Sequence, residues 1–486
     1  MIPLTSRDGY RLPFEEKALE HFAEVLIKKS LINEAGFGAR AIPTYVSEWI
    51  LSHYIENGEL NVRARQQVAQ FVGKYLPQKG LKDTVKEGLL KQQLIRLLDD
   101  YSVTVNLKTG VRHLRVPYLD INDACIDDIV VEKHPLLLTS GVWGVGELTY
   151  IPPDGKQYKK GEVWMHSFKP YQVGTLDLPY YAECRRYFSL DEWRDLLISS
   201  MGFNPTKYSE RQKMLLLTRI LPFVEARVNL VEIAPKGTGK SFVYDNLSRY
   251  GRVVGGGKVS PAVLFHNLVT NVSGLVTRYD VVVFDEVQSI TGDTTGDLIA
   301  GLKVYLESGK FSRGKTEATA EAGLVMLGNL PTETKSFFAP EQGSIFQEIP
   351  NFLRETAFID RIHGILPGWE LPRVSREMPS QQFGFKGDFF SEVLHRLRGE
   401  SRYTDFVKAH LQLNGCNDLR DRKAITRLAS AYLKLLFPDL TISTQQFLLY
   451  CVEPAIEMRQ RVRDELQKLD AEFRSVAITP GEMLLP

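Results

Sequence analysis

Apolar residues recur at helical spacing through the first hundred positions. Leu19, Phe22, Val25 and Leu26 share one face of Phe14–Ser30, and Tyr45–Ile55, Val62–Tyr75 and Leu81–Leu98 repeat the pattern. This predicts an N-terminal helical domain over 1–100. From Tyr101 the period shortens. Val103–Leu107, Val111–Val116, Ile129–Val131, Glu147–Ile151 and Gly161–Met165 are alternating or β-branched runs separated by Gly, Pro and Asp. They predict a small all-β module over 101–178, a candidate barrel and DNA contact. Helical spacing returns at Leu190–Met201, and Ser209-x-x-Gln212 reads as a capping box opening the next helix. Beyond residue 228, continuous apolar runs (Val228–Ile233, Asp280–Glu286, Leu324–Gly328) alternate with helical stretches (Ser241–Tyr250, Ala262–Leu268, Asp297–Ser308). That alternation predicts an α/β core with a parallel sheet over 179–375. A helical lid and a charged helix, Thr444–Phe473, follow over 376–486.

The junction after the first of those strands carries chemistry. Ala234-Pro-Lys-Gly-Thr-Gly-Lys-Ser241 joins a buried strand to a helix, which is the phosphate-loop arrangement. Glycines at 237 and 239 let consecutive N–H groups turn inward toward phosphate oxygens. Lys240 is placed for the β- and γ-phosphates, and the Ser241 hydroxyl for Mg²⁺. The nucleotide-binding set is therefore Pro235, Lys236, Gly237, Thr238, Gly239, Lys240, Ser241 and Phe242, with ATP and Mg²⁺ as cofactors. The motif's usual first glycine is Ala234. A second apolar strand ends in Asp285 and Glu286, where an acid can hold the metal and its neighbour can polarise the attacking water. Gly141-Val-Trp-Gly-Val-Gly146 looks like a dinucleotide fingerprint but lacks the strand–turn–helix setting.

Composition narrows the class only a little. The 486 residues are 43% hydrophobic and 24% charged with a net charge of +1, so any nucleic-acid footprint must be local. Such a local feature is Val62–Lys79, with Arg63, Arg65, Lys74 and Lys79 beside Phe71 and Tyr75. Cys125, Cys184, Cys416 and Cys451 lack metal-ligand spacing and read as reduced thiols of a cytoplasmic protein. No stretch has the length and apolarity of a membrane span or signal peptide.

Three later positions resemble the AAA+ class. Asn329 ends the third strand, where that class carries a polar residue beside the attacking water. Arg361, in Phe358-Ile-Asp-Arg-Ile-His363, is similar to the arginine that such rings present to a neighbouring subunit, with Arg354 as the alternative. Arg420, in Asp418-Leu-Arg-Asp-Arg-Lys, resembles the second-sensor arginine of the MCM helicases. With Glu286 these form the catalytic set. Glu210-Arg-Gln-Lys-Met, Gly257-Lys-Val-Ser-Pro-Ala, Val281-Val-Val-Phe-Asp-Glu-Val and Ser308-Gly-Lys-Phe-Ser-Arg-Gly314 together resemble the BrxL family, the Lon-like AAA+ proteins of BREX phage-defence systems.

That resemblance implies a DNA-binding ATPase forming a homo-oligomeric ring, a hexamer or double hexamer, on double-stranded DNA and alongside other BREX proteins. It also implies that the hairpin Glu307–Glu317 projects Lys310, Arg313 and Lys315 toward DNA. A polypeptide remodeller and a nucleotide-controlled scaffold stay open as alternatives, since Phe311 sits among those cations. The residues after the lid are too few for a Lon-type protease domain, so no peptidase activity is expected.

Overall fold

The computed structural model describes residues 11–483 and 485, apart from 38–41, 56–58, 108, 140, 156–159, 172–175, 256, 258, 270–271, 291–295, 331–343 and 349–352. Helix Val62–Tyr75 starts where Asn61 caps it, its side chain accepting from the Ala64 N–H. The stretch read as one helix over Leu81–Leu98 divides. Helix Lys82–Leu90 stops at Gln92, which takes a left-handed φ of 58°, and strand Ile95–Asn106 follows.

That strand opens a closed five-stranded barrel completed by Val111–Val116, Ile121–Ile126, Val142–Ile151 and Glu162–Pro170. Neighbours are antiparallel except Ile121–Ile126 with Glu162–Pro170, which run parallel. The glycine-rich 141–146 run lies at the start of a barrel strand. A Cβ at Gly146 would sit 2.4 Å from the Met165 methyl, so glycine lets the filled interior close. Ile129–Val131, expected as a strand, belongs to helix Asp128–Lys133, which turns Val130 and Val131 into the barrel core. Tertiary packing overrides β-propensity in so short a run.

The main sheet has the order Gly364–Pro367, Leu230–Ala234, Gly323–Asn329, Val281–Phe284, Gly251–Val254, every pair parallel. The outermost strand, Gly251–Val254, and the short helix Lys240–Asn246 replace the single helix expected over Ser241–Tyr250. Alternate strand residues feed two cores. Leu230, Val281, Val283, Val325 and Leu327 pack toward the helices Leu190–Ser200, Gly387–Arg398 and Leu419–Leu436. Val231, Ile233, Val282, Phe284, Leu324 and Met326 pack toward Asp297–Ser308. The expected C-terminal helix is interrupted. A π stretch, Leu448–Val452, separates Thr444–Phe447 from Glu453–Leu469, because Pro454 has no N–H to give the preceding turn. The N-terminal region joins the segment expected as a helical lid where Leu26–Lys28 pairs antiparallel with Phe383–Phe385, and Lys29 buries its ammonium against Glu48 (2.6 Å) and the Phe385 carbonyl (2.7 Å). Among the described residues no helix is long and apolar enough to cross a membrane.

Candidate active site

The parallel strands bring their C-terminal ends to one edge. Asn329 lies level with Ala234, and Phe284 one strand over hands the chain to Asp285 and Glu286. Lys240 is 6% exposed and donates its ammonium to the Asn329 Oδ1. Burial pushes the Lys240 pKa down, while Glu232, Asp285 and Glu286 draw it back up. The glycine turn is pinned from two sides. The Val374 N–H donates to the Gly237 carbonyl at 2.7 Å, and Arg219 Nη1 donates to the Thr238 carbonyl at 3.1 Å. Gly237 and Gly239 take φ of 84° and 73°, where a Cβ would strain the turn. Pro235 and Ser241 are half-buried, Lys236 is exposed, and Phe242, 41% exposed, meets Phe203 edge-on.

Sequence reading missed what holds this turn. Arg219 and Glu232 form a fully buried pair, with bonds of 3.0 and 2.6 Å. A carboxylate inside an otherwise apolar buried strand was the available signal, since buried charges are paired. Gly368, just past the other edge strand, Gly364–Pro367, approaches the same place. A Cβ there would lie 2.5 Å from the Ala234 Cβ and 2.8 Å from the Glu232 Oε1.

Glu286 has φ 50° and ψ 52°, a left-handed conformation costing about 1–3 kcal/mol in a residue with a side chain. Three bonds hold it: its N–H donates to the Asp285 Oδ1 at 2.8 Å, and its carbonyl accepts from the Ser289 N–H at 2.7 Å and from the Ser289 hydroxyl at 2.8 Å. Gln288 reaches back to the Asn329 carbonyl at 2.6 Å.

Arg361 and Arg420 are not part of this group. Arg361 precedes Gly364, which is level with Leu230, the opposite end of the sheet from Ala234. Four residue steps of strand, about 13 Å, separate those levels. The two arginines share Glu307, at 3.3 Å from Arg361 Nε and 2.9 Å from Arg420 Nε. Arg420 also donates to Asp360 at 2.8 Å. Behind them the fully buried Arg459 binds Asp360 (2.7 Å), Asp421 (2.6 Å) and the Asp360 and Ile362 carbonyls. None of Glu307, Asp360 or Arg459 stood out in the sequence.

The hairpin pairs Lys310–Arg313 with Thr316–Thr319. Alternation divides its cations: Lys310 and Lys315 are exposed, whereas the Arg313 Nη1 is buried without a hydrogen-bond partner among the described residues. Phe311 is buried and stacks on Phe265 at 5.2 Å.

Comparison with known proteins gives the class first. Residues 163–479 match the family described as "Lon-like protease BrxL-like, ATPase domain", and residues 20–150 match "BREX system Lon protease-like protein BrxL N-terminal". The chain belongs to the BrxL family and carries its ATPase domain. It is 32% identical over 453 residues to the Lon-like protease BrxL of Escherichia coli O9:H4 (strain HS), covering 93% of this chain and 64% of that protein. It is 31% identical over 457 residues to the Lon-like protease BrxL of Bacillus cereus (strain H3081.97), covering 92% and 66%. The chain thus spans just under two thirds of the length of these relatives.

Proposed function

We propose that this chain is an AAA+ ATPase with a P-loop core and helical lid. In this reading it assembles into a ring and couples ATP hydrolysis to movement on, or remodelling of, double-stranded DNA in phage defence. One observation carries the reading: Lys240, Asn329, Asp285 and Glu286 converge at the C-terminal edge of a parallel sheet, beside a glycine turn. The site fits a nucleotide. Its cation is buried and, among the described residues, bonded only to a neutral amide, so polyphosphate would give it the anionic partner that burial calls for. Mg²⁺, held by Ser241 and Asp285, would neutralise phosphate charge. Few protein ligands are needed when phosphates supply the rest, and no cluster of three or more His, Cys, Asp or Glu side chains suited to a metal occurs among the described residues. Glu286 then takes the proton of the attacking water, and Asn329 orients that water.

Arg361 and Arg420, at the far end of the sheet, would serve the nucleotide of a neighbouring subunit, which is the argument for a ring. Arginine suits that role because it stays charged and grips phosphate in a bidentate way. The test is ATP turnover with and without duplex DNA, in wild type and in Glu286→Gln. We expect DNA stimulation in wild type and retained ATP binding without turnover in the variant. Normal turnover in Glu286→Gln would remove Glu286 as the base.

A second reading, polypeptide remodelling, is favoured by Leu268 and Val269. They stand 52% and 95% exposed on the turn beside the hairpin's Gly314. Stimulation by an unfolded protein instead of DNA would select it.

A further inference from the structure

Away from the ATPase core, a cavity of about 340 Å³ opens where the N-terminal helices lie against the barrel. Its wall is aromatic. Helix Thr44–Ser52 brings Trp49, followed by Tyr54; helix Val62–Tyr75 brings Phe71 and Tyr75; the exit of the last barrel strand brings Tyr171. Trp49 is already sandwiched, with Tyr171 stacked at 3.6 Å on one side and His53 at 3.9 Å on the other. Phe71 and Tyr75, one helical turn apart and 4.8 Å between ring centres, are only half-buried, as is Tyr54. A cluster whose sole task was to seal the two domains would bury those rings.

Two polar features point to a ligand. Tyr171 is 8% exposed, yet its hydroxyl has no hydrogen-bond partner among the described residues. An unsatisfied buried hydroxyl is costly; this one is closed off from solvent, so a ring nitrogen or carbonyl oxygen would satisfy it only on parting the half-buried rings beside it. The rim is cationic. Lys169 is exposed, Lys74 lies 5.2 Å from the Tyr75 ring centre, and Arg96 is bound to Glu147, the only acid lining the cavity among the described residues.

The occupant must therefore be flat, carry hydrogen-bonding edges and bring negative charge with it. A quaternary ammonium fails on the rim charge, and a purely apolar group leaves Tyr171 unsatisfied. A nucleobase attached to a phosphate meets all three conditions, because every base has a stacking face and an acceptor edge. We propose that this cavity is a nucleobase-binding pocket, which takes one unstacked base against Phe71 and Tyr75. It bonds that base through Tyr171 and steadies the attached phosphate with Lys169 and Lys74. The proposal uses none of the nucleotide-site residues, although helix Thr44–Ser52 is tied to helix Lys240–Asn246, where the Asn246 Oδ1 accepts from the Thr44 N–H at 3.0 Å.

The test uses the full chain and a single-stranded oligonucleotide of about ten nucleotides carrying 2-aminopurine, whose fluorescence drops on stacking. A nucleoside monophosphate and a blunt duplex of the same sequence form the other arms. We expect quenching with the single strand, and little with the duplex, whose bases are already stacked. Quenching by the free monophosphate as well would identify the base alone as the ligand; its absence would identify a base within a strand.

Phe71→Leu keeps an apolar side chain and removes the ring, and should weaken single-strand affinity about ten-fold. Tyr171→Phe should weaken it about five-fold while leaving the melting temperature equal or higher, because the unsatisfied hydroxyl is gone. A merely structural Tyr171 would leave affinity unchanged. Absence of quenching in wild type, or unchanged affinity in both variants, overturns the proposal. Repeating the titration in a Lys310→Ala, Lys315→Ala background separates the pocket from the hairpin, since quenching should survive there.

Discussion

The two ends of the parallel sheet are built differently. At the C-terminal edge Lys240 and the supports of the turn are buried, while Asp285 is half-buried and Glu286 is exposed but held by the backbone. Lys240 is bonded to Asn329, the glycine turn is held by Arg219 and Val374, and Glu286 is locked in a left-handed conformation. At the N-terminal edge Arg361 and Arg420 share Glu307, which is one-third exposed, and Arg420 also donates to the buried Asp360. The first arrangement is set before anything binds, as suits groups that must stabilise developing charge without reorganising. The second holds its cations on a partner that can be exchanged. In the proposed reading, the first edge receives the nucleotide and the second supplies charge to a neighbouring subunit.

The most severe break in that contrast is Lys240→Ala, which should abolish ATP binding or nearly so, measured by equilibrium titration, because no other motif cation faces the β- and γ-phosphates. Wild-type affinity would take the phosphate loop away from this turn. Next comes Arg361→Ala. It should leave ATP binding intact and lower hydrolysis roughly 10³-fold, as for other arginines acting on a transferring phosphoryl group. Mixing these subunits with Glu286→Gln subunits should restore part of the turnover, since some interfaces regain both parts. No recovery in rings shown to mix would count against action across subunits.

Matched carboxylate deletions sharpen the contrast in stability. Glu232→Ala leaves Arg219 buried and unpaired and should cost about 3–5 kcal/mol in denaturant unfolding. Glu307→Ala, at an exposed pair, should cost about 1 kcal/mol or less. Equal costs would show that the two ends are not built on different principles. The smallest effect is on the hairpin. Lys310→Ala and Lys315→Ala should each make the salt dependence of DNA affinity shallower by about 0.9 in log–log slope. Arg313→Ala should not, because Arg313 points inward.

Much of the core was legible because its signals are local. Val281–Phe284 and Gly323–Asn329 are continuous apolar runs, and the Ser209 capping box forms as its spacing predicts, with Gln212 reaching back to the Ser209 N–H. Less local features stayed hidden. Strand Ile121–Ile126 carries Asn122 and Asp123 on its exposed half, which masks the alternation. The helix expected over Ser241–Tyr250 ends at Asn246, and Gly251 begins the edge strand whose Val253 and Val254 pair with Val283 and Phe284. For the site, Lys240, Asp285 and Glu286 could be found from spacing alone. The supports could not: Arg459 meets Asp360 across ninety-nine residues, and Glu307 meets Arg420 across one hundred and thirteen. No periodicity connects such positions.

The alanine that opens the glycine turn has a further role. Between strand Leu230–Ala234 and the exit of its neighbour at Gly368 there is room for one methyl group, and Ala234 supplies it. Positions 234 and 368 thus act as a single steric gauge. A larger side chain at either would wedge strand Gly364–Pro367 away, and Glu232, pressed against the same gap, could not yield without loosening Arg219. Because that strand leads back through His363 and Ile362 to Arg361, the gauge that seats the turn also sets the alignment of the arginine at the opposite end. A methyl group serves here as a shim between the glycine turn and the arginine at the far end of the sheet.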